Sequence, residues 1–403
     1  MVQDQKKDDH PKKPVVGLIL VGGGARAAYQ VGVLKAISEC VPRRGSNPFP
    51  VICGTSAGAI NGAVLAINAG RFTLGVRRLL RVWRNFRVGH VFEAGTWGIV
   101  KSGAHWLLAM MLGGLGRFSP SSLLDRHPLA KLLHRLVPCG LIQDAIDRGD
   151  LKAFSVTASG YTSGQSFIFY QGDSDIKPWR RVQRLGIPAK ITVKHLLASS
   201  AIPFVFEAVK LRREYFGDGS MRQVAPISPA LHLGADRVLV IGVRHEKEDM
   251  PIRLKVINYP SLAQIAGHVL DSIFLDSLEA DLERLTRINK TVSMIPSHHL
   301  EEGNVSLRPV EVMVISPGKD IRGIASRYTG ELPWALRLLL KSVGALKKNG
   351  SNLLSYVLFE RGYCRELIDL GYNDTIERKE EILEFLGYTE QKTSSSEEHS
   401  KKT

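Results

Sequence analysis

The sequence predicts an α/β fold, a mostly parallel sheet with helices on both faces. Two short apolar runs, residues 15–21 and 51–53, read as buried strands. Each is followed by a glycine-bearing turn and then a helical pattern. Strand, helix, strand, helix at this spacing fits a parallel sheet, whose neighbouring strands need a crossover between them.

The elements follow in order. Residues 25–37 place Val31, Leu34 and Ile37 on one helical face. Residues 42–50 carry Pro, Gly, Asn and Ser and read as a connection, and 57–69 form a helix of small residues suited to close packing. Residues 100–138 hold an apolar, glycine-interrupted stretch that includes Trp106, Met110 and Met111. It is too short and broken to span a bilayer; helix packing is the first reading, an acyl-pocket wall or lid the second. Residues 154–159 and 165–170 flank a glycine-containing turn and read as a hairpin. Further strands are expected at 237–243 and 310–315, and helices over 259–290 and 331–388. The Ser/Glu/Lys-rich residues 391–403 read as a disordered tail.

Composition narrows the function classes. An apolar share of 44% is ordinary for a globular chain of 403 residues. Cys40, Cys53, Cys139 and Cys364 are scattered, without metal-type spacing, which argues against a disulfide scaffold or zinc site and fits a reducing, cytoplasmic compartment. Residues 1–13 are polar, unlike a secretory signal, and no run reaches the roughly 18 apolar residues of a spanning helix. The net charge of +15 is unevenly placed. Arg71, Arg77, Arg78, Arg81, Arg84 and Arg87 fall in one acid-free stretch, intermixed with Leu74, Leu79, Trp83 and Phe86. That mixture suits an anionic membrane surface, peripheral at the inner face, or equally a solvated basic helix face packed on the core. Nucleic acid is not expected, because no reading module accompanies the charge.

The chemistry centres on Gly54-Thr55-Ser56-Ala57-Gly58, which links the second strand to its helix. In such a turn the glycines relieve crowding and lift the serine hydroxyl above the sheet edge. The helix that follows points free N–H groups toward developing negative charge. A serine-capped turn is the plain structural reading. Upstream, Gly22-Gly23-Gly24-Ala25-Arg26-Ala27 has two readings. One is a dinucleotide loop, weakened because the second strand does not end in Asp or Glu. The other aims the amides of Gly23 and Gly24 at an acyl oxyanion, with Arg26 anchoring the loop or meeting a phosphate headgroup.

A general base is the remaining need. Ser56 comes too early for an ordinary α/β-hydrolase, and His268, His298 and His299 have no distinctive setting and read as surface or structural residues. Asp218 offers more. Residues 215–216 form a short aromatic strand ending in Gly217-Asp218-Gly219-Ser220, a turn that holds a carboxylate rigidly, although Asp-Gly alone is usually only a turn.

With these three motifs in order, the chain resembles the patatin-like phospholipase family over roughly residues 14–245. The resemblance implies a three-layer α/β/α core with a central, mostly parallel sheet. It also implies hydrolysis of phospholipid, lysophospholipid or other acyl esters through a Ser/Asp dyad, without metal or organic cofactor. Ser56 is then the nucleophile and Asp218 the base. The amides of Gly22, Gly23 and Gly24 form the oxyanion hole, supported by Arg26, Gly54, Gly58 and Gly219. The chain departs from the pattern at Ala27, where the family often has glycine, and at Ser220, where it usually has glycine or alanine. Residues 194–203 are similar to the family's stretch before the aspartate and are expected to shape the site's floor. The expected organisation is a core over 14–245, continued over 246–390 with a helical C-terminal region, then the tail. Two other functions compete with the hydrolase: a catalytically silent lipid-surface or protein-binding module, and a nucleotide-binding oxidoreductase.

Overall fold

A computed structural model describes residues 14–42, 47–92, 124–203, 205–245, 259–274, 276–296, 299, 308–347 and 350–388. The expected tail and the residues 106–112 of the apolar stretch lie outside them.

The two strands that open the sequence pattern are β1 (Val16–Leu20) and β2 (Val51–Thr55), with every residue buried, as the continuous apolar runs require. They pair in parallel and flank the helix α1 (Ala28–Cys40). After β2 come α2 (Ala57–Ala66) and α3 (Phe72–Trp83). The C-terminal part of the apolar stretch forms α4 (His127–Leu136), as the helix-packing reading expects, and α5 (Gly140–Asp147) follows. The expected hairpin is β3 (Ala153–Gly160) and β4 (Ser166–Gly172), antiparallel.

Beyond it lie β5 (Trp179–Arg181), β6 (Arg184–Pro188), α6 (Val193–Ser199), β7 (Val209–Leu211) and β8 (Glu214–Asp218). Then follow α7 (Ser228–His232) and β9 (Arg237–Ile241), with β10 (Glu311–Ile315) parallel to it. The sheet runs β10-β9-β1-β2-β3-β4-β6-β5. Its first five strands are parallel; β4 reverses direction, β6 runs parallel to β4, and β5 is antiparallel to β6.

Strand alternation shows that both faces are covered. Gly17 faces Ala230 of α7, whereas Leu20 and Ile52 face Gly62 of α2. Residues 17 and 20 differ in parity, so α7 and α2 lie on opposite faces of the sheet.

The C-terminal part holds α8 (Leu262–Phe274), α9 (Asp276–Val292), α10 (Ile321–Arg327), α11 (Trp334–Ser342), α12 (Ser351–Val357), α13 (Arg361–Glu377) and α14 (Lys379–Phe385). The main docking of this part is α13 along α1. Gly32 of α1 faces the Ile368 carbonyl, and Gly371 of α13 faces the Tyr29 carbonyl, so neither position has room for a Cβ. Close backbone approach is what these two glycines provide.

Candidate active site

The site forms where two strands meet end to end. Thr55, the last residue of β2, pairs with Thr157 of β3. The next β3 residue, Ala158, pairs with Asp218, the last residue of β8, which arrives from the opposite direction. Because β4 occupies the other edge of β3 from Ala153 to Ser159, β2 and β8 share one edge. The turn after β2 and the end of β8 are therefore neighbours, and Ser56 and Asp218 come together although 162 residues separate them.

Ser56 sits on a strained backbone, with φ 54° and ψ −126°. A serine adopts this left-handed conformation only where its surroundings over-determine it. The glycines beside it explain how. Gly54 lies against the Cα of Ala59, and Gly58 against the Leu20 carbonyl, so a side chain at either position would push α2 off the sheet. From behind, the Ser56 N–H donates to Ser199 Oγ at 2.8 Å, and Ser199 is fully buried at the end of α6. The N–H groups of Ala59 and Ile60 return to the Ser56 carbonyl. Those of Ala57 and Gly58, in the first turn of α2, are left for another acceptor.

Asp218 is fully buried. Its Oδ1 accepts the Ser220 N–H at 2.9 Å, while Oδ2 and the Ser220 hydroxyl are buried with no partner in hydrogen-bond geometry among the described residues. Desolvation pushes the carboxyl up to about 6; the Ser56 hydroxyl and then the N–H and hydroxyl of Ser220 oppose that rise. The Ser56 hydroxyl is thus close enough to Asp218 to favour its charged form, though not in the geometry of a full hydrogen bond.

The glycine loop closes the third side. Gly24 has φ +55° and lies against the Tyr356 carbonyl, two reasons why no side chain fits there. Gly22 faces Ser220 Oγ and the ring of Phe274, and Gly23 faces Val243. The N–H groups of Gly22, Gly23 and Gly24 donate to no acceptor among the described residues. Of the three, Gly24 shares a cavity wall with Ser56.

Arg26 is an anchor. Its side chain is 4% exposed, and it donates to Ser355 Oγ at 2.9 Å, the Tyr356 hydroxyl at 3.1 Å, Asp271 at 3.4 Å and Asn352. Its guanidinium also lies 3.8 Å from the Tyr356 ring centroid. Every partner comes from α8 or α12, so the alternative role for Arg26, meeting a phosphate headgroup, is not what the structure gives it.

Ser56, Gly24 and Ala57 form one end of a narrow cavity of about 50 Å³. Apart from Ser200 its remaining wall is apolar, with Leu79 and Trp83 of α3, the leucines of α4, Phe206 and Phe359. The leucines at 129, 132, 133 and 136 recur at helical spacing and turn one face of α4 to the cavity. The apolar slot is of a kind an acyl chain enters.

The basic segment is part of this wall. Phe72, Val76, Leu79 and Trp83 are buried, leaving Arg77, Arg78, Arg81 and Arg84 exposed on the outer side. Leu79 and Trp83 also line the cavity, and Leu74, Leu80 and Val82 of the same segment are half-buried.

Several residues near the site carried no sequence signal of their own. Ser199 lies in the 194–203 segment expected to shape the floor, but nothing marked its hydroxyl as an acceptor. A buried chain runs from Trp83 Nε1 to Asn61 Oδ1 at 2.8 Å, from Asn61 Nδ2 to Gln30 Oε1 at 3.0 Å, and from Gln30 Nε2 to the Val21 carbonyl at 2.8 Å. It ties α3, α2 and α1 to the peptide just before Gly22. Buried amides inside helical patterns were the available clue. His268 is exposed on α8, neither it nor His299 lines the cavity, and His298 lies outside the described residues. No group of three His, Cys, Asp or Glu suited to a metal occurs among the described residues.

The parallel sheet with helices on both faces and the strand-to-helix serine turn define the class as α/β. A family model described as patatin-like phospholipase matches residues 18–231, more than half the chain. The chain belongs to the patatin-like phospholipase family. Lysophospholipase nte1 of Aspergillus terreus (strain NIH 2624 / FGSC A1156) is 38% identical over 96 residues, covering 20% of this chain and 6% of that protein. Patatin-like phospholipase domain-containing protein 7 of Rattus norvegicus is 47% identical over 51 residues, covering 13% and 3%. The chain thus spans a small fraction, about 6% or less, of these curated relatives. The crystal structure of VipD from Legionella pneumophila aligns at TM-score 0.31 with 12% identity, covering 92% of this chain and 67% of that one. The type III effector ExoU aligns at 0.26 with 16% identity, covering 86% and 78%. Neither structural likeness is close enough to carry an argument.

Proposed function

We propose that this chain is a serine lipid acyl hydrolase, of phospholipase or lysophospholipase type, working through a Ser56/Asp218 dyad. The observation that carries the reading is the meeting of β2 and β8 on one edge of β3, which sets Ser56 beside a buried carboxylate at the mouth of an apolar slot. Ser56 Oγ attacks the ester carbonyl while its proton passes to Asp218. The oxyanion takes N–H bonds from Gly24 with its loop neighbours and from Ala57. As the tetrahedral intermediate collapses, the C–O bond to the alcohol breaks and the alcohol or lysolipid leaves with the proton from Asp218. Water then gives a proton to Asp218 and its oxygen to the acyl carbon, and the fatty acid leaves as Ser56 recovers its proton. Phospholipids, lysophospholipids and other acyl esters fit this chemistry.

The test is labelling with a fluorophosphonate, with the adduct located by mass spectrometry, alongside hydrolysis assays. The expected adduct is on Ser56, and Ser56→Ala and Asp218→Asn should each lower kcat by about a thousandfold or more with folding intact. A folded protein that is neither labelled nor hydrolytic would be a silent lipid-surface or protein-binding module instead.

A further inference from the structure

Two C-terminal helices each carry several exposed apolar side chains. On α8, Leu262, Ile265 and Val269 are 70%, 42% and 51% exposed and fall at i, i+3 and i+7, a single stripe. On α11, Trp334 and Leu338 are 65% and 61% exposed and share a face with Arg337 and Lys341, both also exposed. The helices adjoin, because the Ala263 N–H at the start of α8 donates to the Val343 carbonyl just past α11 at 3.0 Å.

The charge on these stretches has one sign. Residues 332–359 contain Arg337, Lys341, Lys347 and Lys348 and no Asp or Glu, and residues 259–270 contain no Asp or Glu either. An aromatic and a leucine interleaved with cations on one helical face match the layering of a bilayer surface. The rings and methyl groups enter the boundary between headgroups and acyl chains while the cations stay at the phosphates.

We propose that α8 and α11 dock this protein on an anionic lipid surface. The apolar contacts come from Trp334, Leu338, Leu262 and Val269, and the phosphate contacts from Arg337 and Lys341. One of these helices, and the helix after the other, hold the glycine loop. Asp271 of α8 grips Arg26, Phe274 at the end of α8 abuts Gly22, and α12, which follows α11, supplies the other Arg26 partners. The docking helices are thereby joined directly to the glycine loop. The proposal deepens the lipid-hydrolase reading and rests on it for its purpose, although docking is measured without turnover.

The experiment is co-sedimentation with phosphatidylcholine vesicles and with the same vesicles carrying phosphatidylglycerol. The wild type should bind the second kind and be released by salt. Trp334→Ser/Leu338→Ser, Leu262→Ser/Val269→Ser and Arg337→Glu/Lys341→Glu should each weaken binding about tenfold or more. Circular dichroism and hydrolysis of a soluble short-chain ester should stay unchanged in all three. Ser56→Ala should bind as the wild type does. Equal vesicle binding by the variants, or wild-type binding indifferent to phosphatidylglycerol and salt, overturns the proposal. So does a wild-type dimer, seen by light scattering, that the serine variants dissociate, since the stripes would then meet a second copy. If the wild type docks as expected but neither hydrolyses esters nor labels at Ser56, docking stands and the enzymatic reading falls.

Discussion

Asp218 is where burial and function pull in opposite directions. With its carboxyl pushed up to about 6, it holds a proton in the folded chain at pH values where the unfolded chain has lost it. A proton-accepting Asp218 must be ionised, so kcat/KM should fall below an apparent pKa near 6, and a pH–rate profile reads that limb directly. The Ser220 hydroxyl opposes the rise, so Ser220→Ala should move the same limb to higher pH. An unmoved limb would mean the hydroxyl has no hold on the carboxylate. The stability sign follows from the same shift. A raised carboxyl pKa favours the fold at low pH, and that contribution is lost as pH climbs through the folded value of about 6. At pH 8 the buried charge is a net cost. Asp218→Asn should therefore unfold at higher denaturant concentration than the wild type, by on the order of 2 kcal/mol, while losing activity. At pH 4 the difference should largely vanish.

At the scale of elements, the anchor of the glycine loop shows what a linear reading misses. The first two strands and their turns were legible because the signal is local: an apolar run, a glycine turn and a small-residue helix within a few dozen residues. The hairpin at β3 and β4 was legible for the same reason. That β8 shares an edge of β3 with β2 was not, because strand pairing over such separations leaves no periodic mark. Asp218 drew attention through its glycine bracket and the family resemblance, whereas its neighbour Ser199 drew none. The basic segment at 71–87 was ambiguous because its apolar residues look the same whether they face a core or a bilayer. Arg26 is the sharpest case, since its partners lie 245 to 330 residues away on helices that sequence could only call helical. Arg26→Ala strips the loop from α8 and α12 and leaves Asp271 without its ion pair. Denaturant titration should show a loss of roughly 3–5 kcal/mol. Arg26→Lys should restore only part of it, because an ammonium cannot span four acceptors with a planar fork. Full recovery by lysine would reduce the contact to simple charge.

Taken whole, the molecule builds its cavity from segments that are far apart in the chain. The reactive end belongs to the sheet, where the turns after β1 and β2 present Gly24 and Ser56. The apolar walls belong to α3 and α4, and Phe359, between α12 and α13, packs its ring at a tilt against Phe86 and Trp83 as part of the wall. The division has a consequence: chemistry and chain-length preference should be separable by mutation. Leu132 is partly buried and lines the cavity from α4, one turn from Leu129 and Leu136. Leu132→Ala removes three heavy atoms from the wall without touching the loop, the serine turn or Asp218. Because the residue is not fully buried, the cost should fall toward the low end for a leucine truncation, about 2 kcal/mol. Across a series of p-nitrophenyl esters, the optimum of kcat/KM should move to longer acyl chains. Each added methylene that finds room would gain about 0.8 kcal/mol, roughly fourfold. The rate on the shortest ester should be nearly unchanged, since that chain does not reach the wall. A uniform loss across the series would place Leu132 in the fold's support and leave acyl binding elsewhere. An optimum that lengthens while the shortest ester keeps its rate would assign the slot to the acyl chain.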